Sequence, residues 1–113
     1  MNRFLFICSL NERRSATAEH VARKMGHLAD SAGIEACSVR PLTREAIDRA
    51  ELLICMDERH AQYVLKLRPE RSADVRVWHV VDRYDYGQPA LIRLLKKRLQ
   101  GLRDARQSPS TSS

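Results

Sequence analysis

The sequence predicts an α/β fold in which a four-stranded parallel sheet carries helices on both faces, a three-layer sandwich. Short apolar segments alternate along the chain with segments whose apolar residues recur at helical spacing. Strands that alternate with helices in this way form parallel sheets that are buried on both faces. The chain has 113 residues, 43% of them hydrophobic, which suits one compact domain with its own core.

The first half of the chain is predicted to open with a strand, a loop and a helix. Residues 3–7 are an apolar run typical of a buried strand. A short strand over 28–31 and a helix capped by Thr43 complete this half. The first helix lies behind Ser15, where apolar residues follow at helical spacing: Ala18, Val21, Ala22 and Met25.

The second half repeats the alternation. "ELLICM" is a clear strand, and "DERHAQYVLKL" supplies apolar residues for a helix. "VRVWHVV" is rich in β-forming residues and is predicted to be the last strand. The final helix carries one apolar stripe, formed by Leu91, Leu95, Leu99 and Leu102.

Composition bounds the organisation of the chain. Residues 1–104 are predicted to form the single domain, and residues 105–113, which end in "SPSTSS", to be a disordered tail. No segment approaches the ~20 apolar residues of a membrane span, and the N-terminus lacks a signal-peptide pattern. The three cysteines make neither a disulfide framework nor a zinc site. We therefore expect a cytoplasmic protein with free thiols and no membrane partner.

The charge indicates anionic partners without choosing among them. The net charge is +6, which favours nucleic acid, a membrane surface or a phosphorylated substrate. Nucleic-acid binding is disfavoured because no stacking aromatics are interleaved with the basic residues. A phosphorylated substrate is the remaining interpretation that a specific motif supports.

The loop between the first strand and the first helix has the features of an anion site. Ligands of open α/β sheets bind where strands end and helices begin, and residues 8–15 make such a connection. Inward-facing N–H groups of residues 9–14 would form a nest for phosphate oxygens, and Arg14 would add a planar fork of donors. Cys8, at the bottom of this cup, would lie in a field that stabilises its thiolate. A nucleophile and a phosphate site coincide.

With this C-x5-R-S pattern the sequence resembles the low-molecular-weight protein tyrosine phosphatases. "ICSLNERRS" is similar to their phosphate-binding loop, "DSAG" and "LLICMDERH" to their middle segments, and "VVDRYDYG" to their general-acid loop. The resemblance covers nearly the whole domain and is strongest to a small bacterial branch whose loop lacks the usual glycine and second cysteine. The motif gains specificity from its place between a strand and a helix.

The resemblance implies a cysteine-dependent phosphomonoester hydrolase that acts on phosphotyrosine in proteins or on small aryl phosphates. Cys8 would attack phosphorus, Arg14 would hold the phosphate oxygens, and Asp82 would protonate the leaving group, with Asp85 as the alternative acid. No metal or cofactor is implied, and we expect the histidines to be surface or packing residues. The implied substrate-binding residues are Ser9, Leu10, Asn11, Glu12, Arg13, Ser15, Tyr84 and Tyr86.

Four of these binding residues have more specific expected roles. Asn11 is expected to adopt a left-handed conformation that ties the loop together. Ser15 would either donate to the thiolate or cap the helix, and these two roles are compatible. Tyr84 and Tyr86 would wall a slot for an aromatic ester, or pack against the last helix.

The sequence also departs from the family pattern. Leu10 stands in place of the usual glycine and Arg13 in place of a second cysteine, so loop geometry and redox protection both differ. Ala16 and Arg83 each replace a proline.

Two other functions stay open at this point. A non-catalytic module that binds phosphate or phosphoproteins would need neither a reactive cysteine nor an acid. A thiol-based arsenate reductase on the same fold would need further cysteines near the loop, and Cys37 and Cys55 offer no obvious relay.

Overall fold

The computed structural model describes residues 3–107, with side chains described for residues 3–102. The four strands form one parallel sheet in the order β2-β1-β3-β4, which confirms the predicted α/β fold. The strands are β1 (Arg3–Cys8), β2 (Leu28–Gly33), β3 (Leu52–Cys55) and β4 (Val75–Val77). The helices are α1 (Arg14–Lys24), α2 (Arg44–Arg49), α3 (Glu58–Leu67) and α4 (Pro89–Gln107), and a short 3₁₀ helix spans Pro69–Asp74.

Alternation along β1 divides the core into two layers. Phe4, Phe6 and Cys8 pack on one face of the sheet with residues of α1 and α4. Leu5 and Ile7 pack on the other face with residues of α2 and α3. Because successive side chains of a strand point to opposite faces, the position of Cys8 in this alternation turns its sulfur toward α1.

The helices follow the predicted periodicities. Thr43 caps α2, and its hydroxyl accepts a hydrogen bond from the N–H of Ala46 at 3.1 Å. The stripe of α4 lies against the core, with Leu91, Leu95 and Leu99 almost fully buried and Leu102 partly buried. These apolar stripes fix both outer layers on the sheet.

The last strand is shorter than predicted. The predicted segment spans residues 75–81, but the strand ends at Val77. Trp78 and Val80 are still buried and still donate N–H bonds to the carbonyls of Cys55 and Met56. Between them His79 has φ of 53°, a left-handed conformation that interrupts an extended strand. The chain therefore turns away from the sheet before it reaches Asp82.

At the C-terminal end, α4 continues to Gln107, past the predicted domain boundary at residue 104. Residues 108–113 of the predicted tail lie outside the described residues, and the assignment of residues 1–104 to a single domain stays a prediction. Within residues 3–107, no helix combines the length and the apolar character needed to cross a membrane.

Candidate active site

Cys8 is the last residue of the central strand β1 and forms the floor of a small cavity. Its side chain is 3% exposed, and it belongs to the core layer next to α1. The cavity opens above the carboxyl end of β1, the edge at which ligands bind in open α/β sheets. The described residues that line it are Cys8, Ser9, Leu10, Glu12, Arg13, Arg14 and Asp82.

The peptide groups after Cys8 are oriented by the loop that follows β2. The carbonyls of Cys8, Ser9 and Leu10 accept hydrogen bonds from the N–H groups of Ile34, Glu35 and Val39, at 3.0, 3.0 and 3.2 Å respectively. In a planar trans peptide the N–H of the next residue points opposite to the carbonyl. The outward-held carbonyls therefore turn the following N–H groups toward the cavity side, as an anion site requires.

This brace depends on a close approach at Gly33. A Cβ atom there would lie 2.8 Å from the carbonyl oxygen of Ser9 and would also clash with the Ser38 side chain. Ser38 Oγ lies 3.1 Å from that same Ser9 carbonyl oxygen and 2.5 Å from the Glu35 carbonyl oxygen, so its one proton lies between the two acceptors. Glycine at position 33 therefore lets the two loops pack directly against each other.

Asn11 and Ser15 surround the sulfur of Cys8 with donors. Asn11 has φ of 59°, which confirms the predicted left-handed conformation, and its N–H donates to Cys8 Sγ at 3.2 Å. Asn11 Nδ2 donates to Ser15 Oγ at 2.8 Å. Since Ser15 Oγ accepts that bond, its own proton is available to Cys8 Sγ, 2.9 Å away.

Ser15 is not the helix cap that was one of its two expected roles. The cap position of α1 is Arg13, which makes no side-chain cap hydrogen bond, and no acidic residue lies in the first turn. Ser15 is the second residue of α1, and its hydroxyl contacts the Cys8 sulfur. The positive end of the helix dipole therefore remains available to an anion in the cavity.

Arg14 reaches the cavity as a buried cation. Its side chain is 3% exposed, and its Nη1 donates to the carbonyl of Val80 at 2.8 Å. Its Nε lies 3.6 Å from Asp82 Oδ1. A guanidinium that is fixed by a backbone carbonyl keeps its remaining donors in a defined plane, so Arg14 is oriented before any ligand arrives.

Asp82 and Asp85 lie in different environments. Asp82 lines the cavity, and its carboxylate is within 3.8 Å of Arg13 Nη2 as well as near Arg14. Asp85 is exposed. Its backbone N–H donates to Gln88 Oε1 at 2.9 Å. Of the two candidate acids, Asp82 lines the same cavity as Cys8, and Asp85 is not among the described residues that line it.

Tyr84 and Tyr86 do not line the cavity among the described residues, so the substrate slot, one of their two expected roles, is not seen here, whereas Tyr84 shows the other, packing against the layer of the last helix. Tyr84 is partly buried and packs against the core layer of α1 and α4. Tyr86 is exposed and borders a separate groove beside Asn11 and Ala16. The Gly87 N–H donates to Thr17 Oγ1 at 3.1 Å, and this contact joins the loop to α1.

Two neighbouring residues of α3 were not identified as site residues from the sequence. His60 is fully buried, and its Nε2 lies 3.1 Å from Ser9 Oγ. Arg59 Nη2 donates to the same oxygen at 2.7 Å. Both follow β3 directly, so the rule that parallel strands end at one edge was the signal that would have found them.

Burial sets the protonation of His60. Its pKa is lowered to about 4 by desolvation, with smaller contributions from the charges of Arg14 and Arg59. The ring is therefore neutral near pH 7. Because arginine can only donate, Ser9 Oγ accepts from Arg59 and can offer its own proton to the ring nitrogen of His60.

The other cysteines differ from Cys8 in their surroundings. Cys55 is buried inside β3, and burial raises the pKa of its thiol to about 12, so it is inert as a thiolate. Cys37 is exposed on the loop after β2, and all three cysteines are free.

Solved structures with the same fold were found by comparison. An arginine phosphatase, YwlE from Geobacillus stearothermophilus, is 20% identical with a TM-score of 0.72, over 96% of this chain and 97% of that chain. The tyrosine phosphatase AmsI from Erwinia amylovora is 19% identical with a TM-score of 0.75, over 92% of both chains. A low-molecular-weight protein tyrosine phosphatase from Bacillus subtilis is 19% identical with a TM-score of 0.71, over 92% of this chain and 99% of that chain.

These likenesses show that the chain has the fold of the low-molecular-weight protein tyrosine phosphatases, as its sequence motifs implied. No protein-family model matches the sequence, and no curated protein matches it significantly. Chemistry has to be argued from the site itself, because one fold hosts many functions.

Proposed function

We propose that the protein is a cysteine-dependent phosphomonoester hydrolase that acts on phosphotyrosine in proteins. The observation that carries this proposal is the meeting of Cys8, Arg14 and Asp82 around one cavity. A nucleophile, a phosphate ligand and a proton donor are the groups that such a reaction needs. A module that only binds phosphate would need neither Cys8 nor Asp82.

In the first step, the thiolate of Cys8 attacks phosphorus. A sulfur–phosphorus bond forms while the bond from phosphorus to the ester oxygen breaks, and Asp82 gives its proton to that oxygen. The donors from Asn11 and Ser15, at 3.2 and 2.9 Å from the sulfur, support the thiolate form of Cys8. The product alcohol or phenol then leaves the cavity.

In the second step, water attacks the cysteinyl-phosphate. Asp82, now ionised, takes a proton from the water, the sulfur–phosphorus bond breaks, and the electron pair returns to Cys8. Inorganic phosphate leaves, and Asp82 is protonated again for the next cycle. Ser15 supports the departing thiolate, so its hydroxyl assists both steps.

Arg14 and the backbone N–H groups of the loop stabilise the transferring phosphoryl group. Its three equatorial oxygens carry the charge of the transition state, and donors fixed in advance are worth more in a water-poor site than in bulk water. Arg14 Nε and Asp82 Oδ1 form a loose ion pair at 3.6 Å. A bound phosphoryl group would replace this pair with shorter, bidentate contacts.

The phosphotyrosine assignment draws on the tyrosine phosphatases among the structural relatives and on the sequence motifs that resemble them. Arsenate reductase chemistry is not favoured, because the structural relatives are phosphatases and Cys55 is buried with its pKa raised to about 12. We also propose a cytoplasmic location, since a nucleophilic thiol with two further free cysteines suits a reducing compartment.

The test is hydrolysis of p-nitrophenyl phosphate by the wild type and by Cys8→Ser. We expect Cys8→Ser to lose turnover while it still binds inorganic phosphate, because a hydroxyl is a poor nucleophile but the donor cup is intact. The exposed Cys37→Ser variant is the matched control and should keep full activity. Normal turnover in Cys8→Ser, or none in the wild type, would contradict the proposed function.

A further inference from the structure

An arginine outside the C-x5-R-S motif lies at the edge of the cavity. Arg59 belongs to the first turn of α3, and its Nη2 donates at 2.7 Å to Ser9 Oγ. Ser9 lines the Cys8 cavity. The Arg59 guanidinium is therefore one hydrogen bond away from the wall of the candidate phosphate site.

Two contacts fix the Ser9 hydroxyl that holds this arginine. His60 Nε2 lies 3.1 Å from Ser9 Oγ on the buried side, and Arg59 occupies the exposed side. The oxygen accepts from Arg59, and its other contact is the ring nitrogen of His60, so the hydroxyl is held between these two side chains. The charge at this edge of the cavity is that of Arg59.

The charge of Arg59 is not neutralised. Among residues 3–102, no carboxylate lies within ion-pair distance of Arg59, whereas Arg13 and Arg14 both lie near Asp82. A guanidinium carries five N–H donors, and the bond to Ser9 uses one of them. The remaining donors of this exposed side chain are available to an oxygen ligand.

The rim of the cavity is therefore asymmetric in charge. Asp82 and Glu12 contribute carboxylates, and both line the cavity. Ser9 contributes no charge of its own but carries Arg59 behind it. The carboxylate of Asp82 is offset by the two neighbouring arginines of the loop, which also line the cavity, whereas the charge of Arg59 has no such partner among residues 3–102. A carboxylate of the substrate would therefore be attracted at the Ser9 part of the rim.

We propose that Arg59 is a specificity-determining residue that favours substrates with a carboxylate beside the phosphorylated residue. This inference rests on the proposed function. The expected effect on substrate preference is small, because the Arg59 side chain is exposed and exposed ion pairs contribute little binding free energy. We expect a preference of roughly two- to fivefold for acidic substrates, decreasing at high salt.

Two phosphotyrosine peptides that differ only in flanking glutamates or glutamines test this. The ratio of their kcat/KM values should fall toward one in Arg59→Gln, which keeps a donor for Ser9 but loses the charge, and should be retained in Arg59→Lys. Arg98→Gln is the matched control, because it removes the same charge from an exposed position on α4. An unchanged ratio in Arg59→Gln would overturn the inference.

Two further measurements separate this inference from the proposed function. The affinities of the same peptides for Cys8→Ser, with and without Arg59→Gln, test the charge preference without any chemistry. A preference in binding without wild-type turnover would support the inference and contradict the proposed hydrolase. If Arg59→Gln weakens p-nitrophenyl phosphate and both peptides equally, Arg59 binds the phosphate itself, and the inference is wrong. Binding of neither peptide would overturn both.

Discussion

The hydroxyl of Ser15 lies 2.9 Å from the sulfur of Cys8, although seven positions separate them in the chain. The turn between them is closed by Asn11, whose left-handed backbone lets its N–H reach the sulfur and its side chain reach Ser15. Asn11 thus orients the Ser15 proton toward Cys8. The three residues form one unit, in which each hydrogen bond fixes the direction of the next.

Ser15→Ala should slow the second chemical step most. In that step Cys8 leaves as a thiolate, and a hydrogen bond to a charged group is worth about 1.5–3 kcal/mol, so we expect roughly a 10- to 150-fold lower rate. Rapid-mixing measurements with p-nitrophenyl phosphate should then show a burst of nitrophenolate. Ser72→Ala, on the exposed 3₁₀ helix, is the control, and a Ser15→Ala enzyme with wild-type kcat would refute the assigned role.

Arg14→Lys keeps the charge but loses the planar fork of donors. We expect kcat to fall about 100- to 1,000-fold, the range for removal of one oxyanion donor, while circular dichroism shows an intact fold. Arg13→Lys is the comparison. Arg13 is half-exposed, and its contact with Asp82 is long, at 3.8 Å from Nη2 to Oδ1, so kcat should fall much less in this variant. A larger loss in Arg13→Lys would make Arg13 the phosphate ligand.

His60 should make stability depend on pH. Its pKa is about 4 in the folded protein and 6.5 without the surroundings, so below pH 6.5 the unfolded chain takes up a proton that the folded chain does not. The free energy of unfolding should therefore fall between about pH 6.5 and 4, by up to about 1.4 kcal/mol per pH unit. Above pH 6.5 His60 is neutral in both the folded and the unfolded chain, so it no longer makes the free energy of unfolding depend on pH.

Urea denaturation of the wild type and His60→Gln at several pH values measures this effect. The variant is expected to lose the extra slope between pH 6.5 and 4, whatever its absolute stability. His20→Gln, at an exposed position of α1, controls for the loss of a histidine. Parallel curves for the wild type and His60→Gln would show that His60 takes no part.

Local patterns in the sequence were sufficient for the fold and for the loop around Cys8. The alternation in β1, the helical spacing after Ser15 and the tolerance of Asn11 for positive φ all involve residues close together in the chain. Each of these predictions is confirmed by the structure. Such features depend little on how distant segments pack.

The features that were missed depend on contacts between distant segments. His60 reaches Ser9 across 51 positions, and its burial follows from the register of α3 on the sheet. The positions of Tyr84 and Tyr86 depend on how their loop lies on α1, where the Gly87 N–H reaches Thr17 Oγ1 across 70 positions of the chain. No periodicity in the sequence encodes either arrangement, so only the assembled chain reveals them.

The assignment of the acid can be tested by leaving-group dependence. If Asp82 protonates the leaving oxygen, Asp82→Asn should slow esters of basic phenols far more than p-nitrophenyl phosphate, because a weakly basic phenolate departs without a proton. The loss for basic leaving groups should be about 100- to 10,000-fold, the usual contribution of a general acid.

Asp85→Asn is the matched control, since it makes the same change on the same loop at a residue that does not line the cavity among the described residues. It should leave the dependence on leaving-group basicity flat. The same measurement detects loop movement on substrate binding. If the loop brings Asp85 into the cavity as the acid, the steep dependence on leaving-group basicity will appear in Asp85→Asn. A steep dependence in Asp85→Asn with none in Asp82→Asn would therefore make Asp85 the proton donor. Asp82, whose Oδ1 lies 3.6 Å from Arg14 Nε, would then orient the arginine and would not protonate the leaving group.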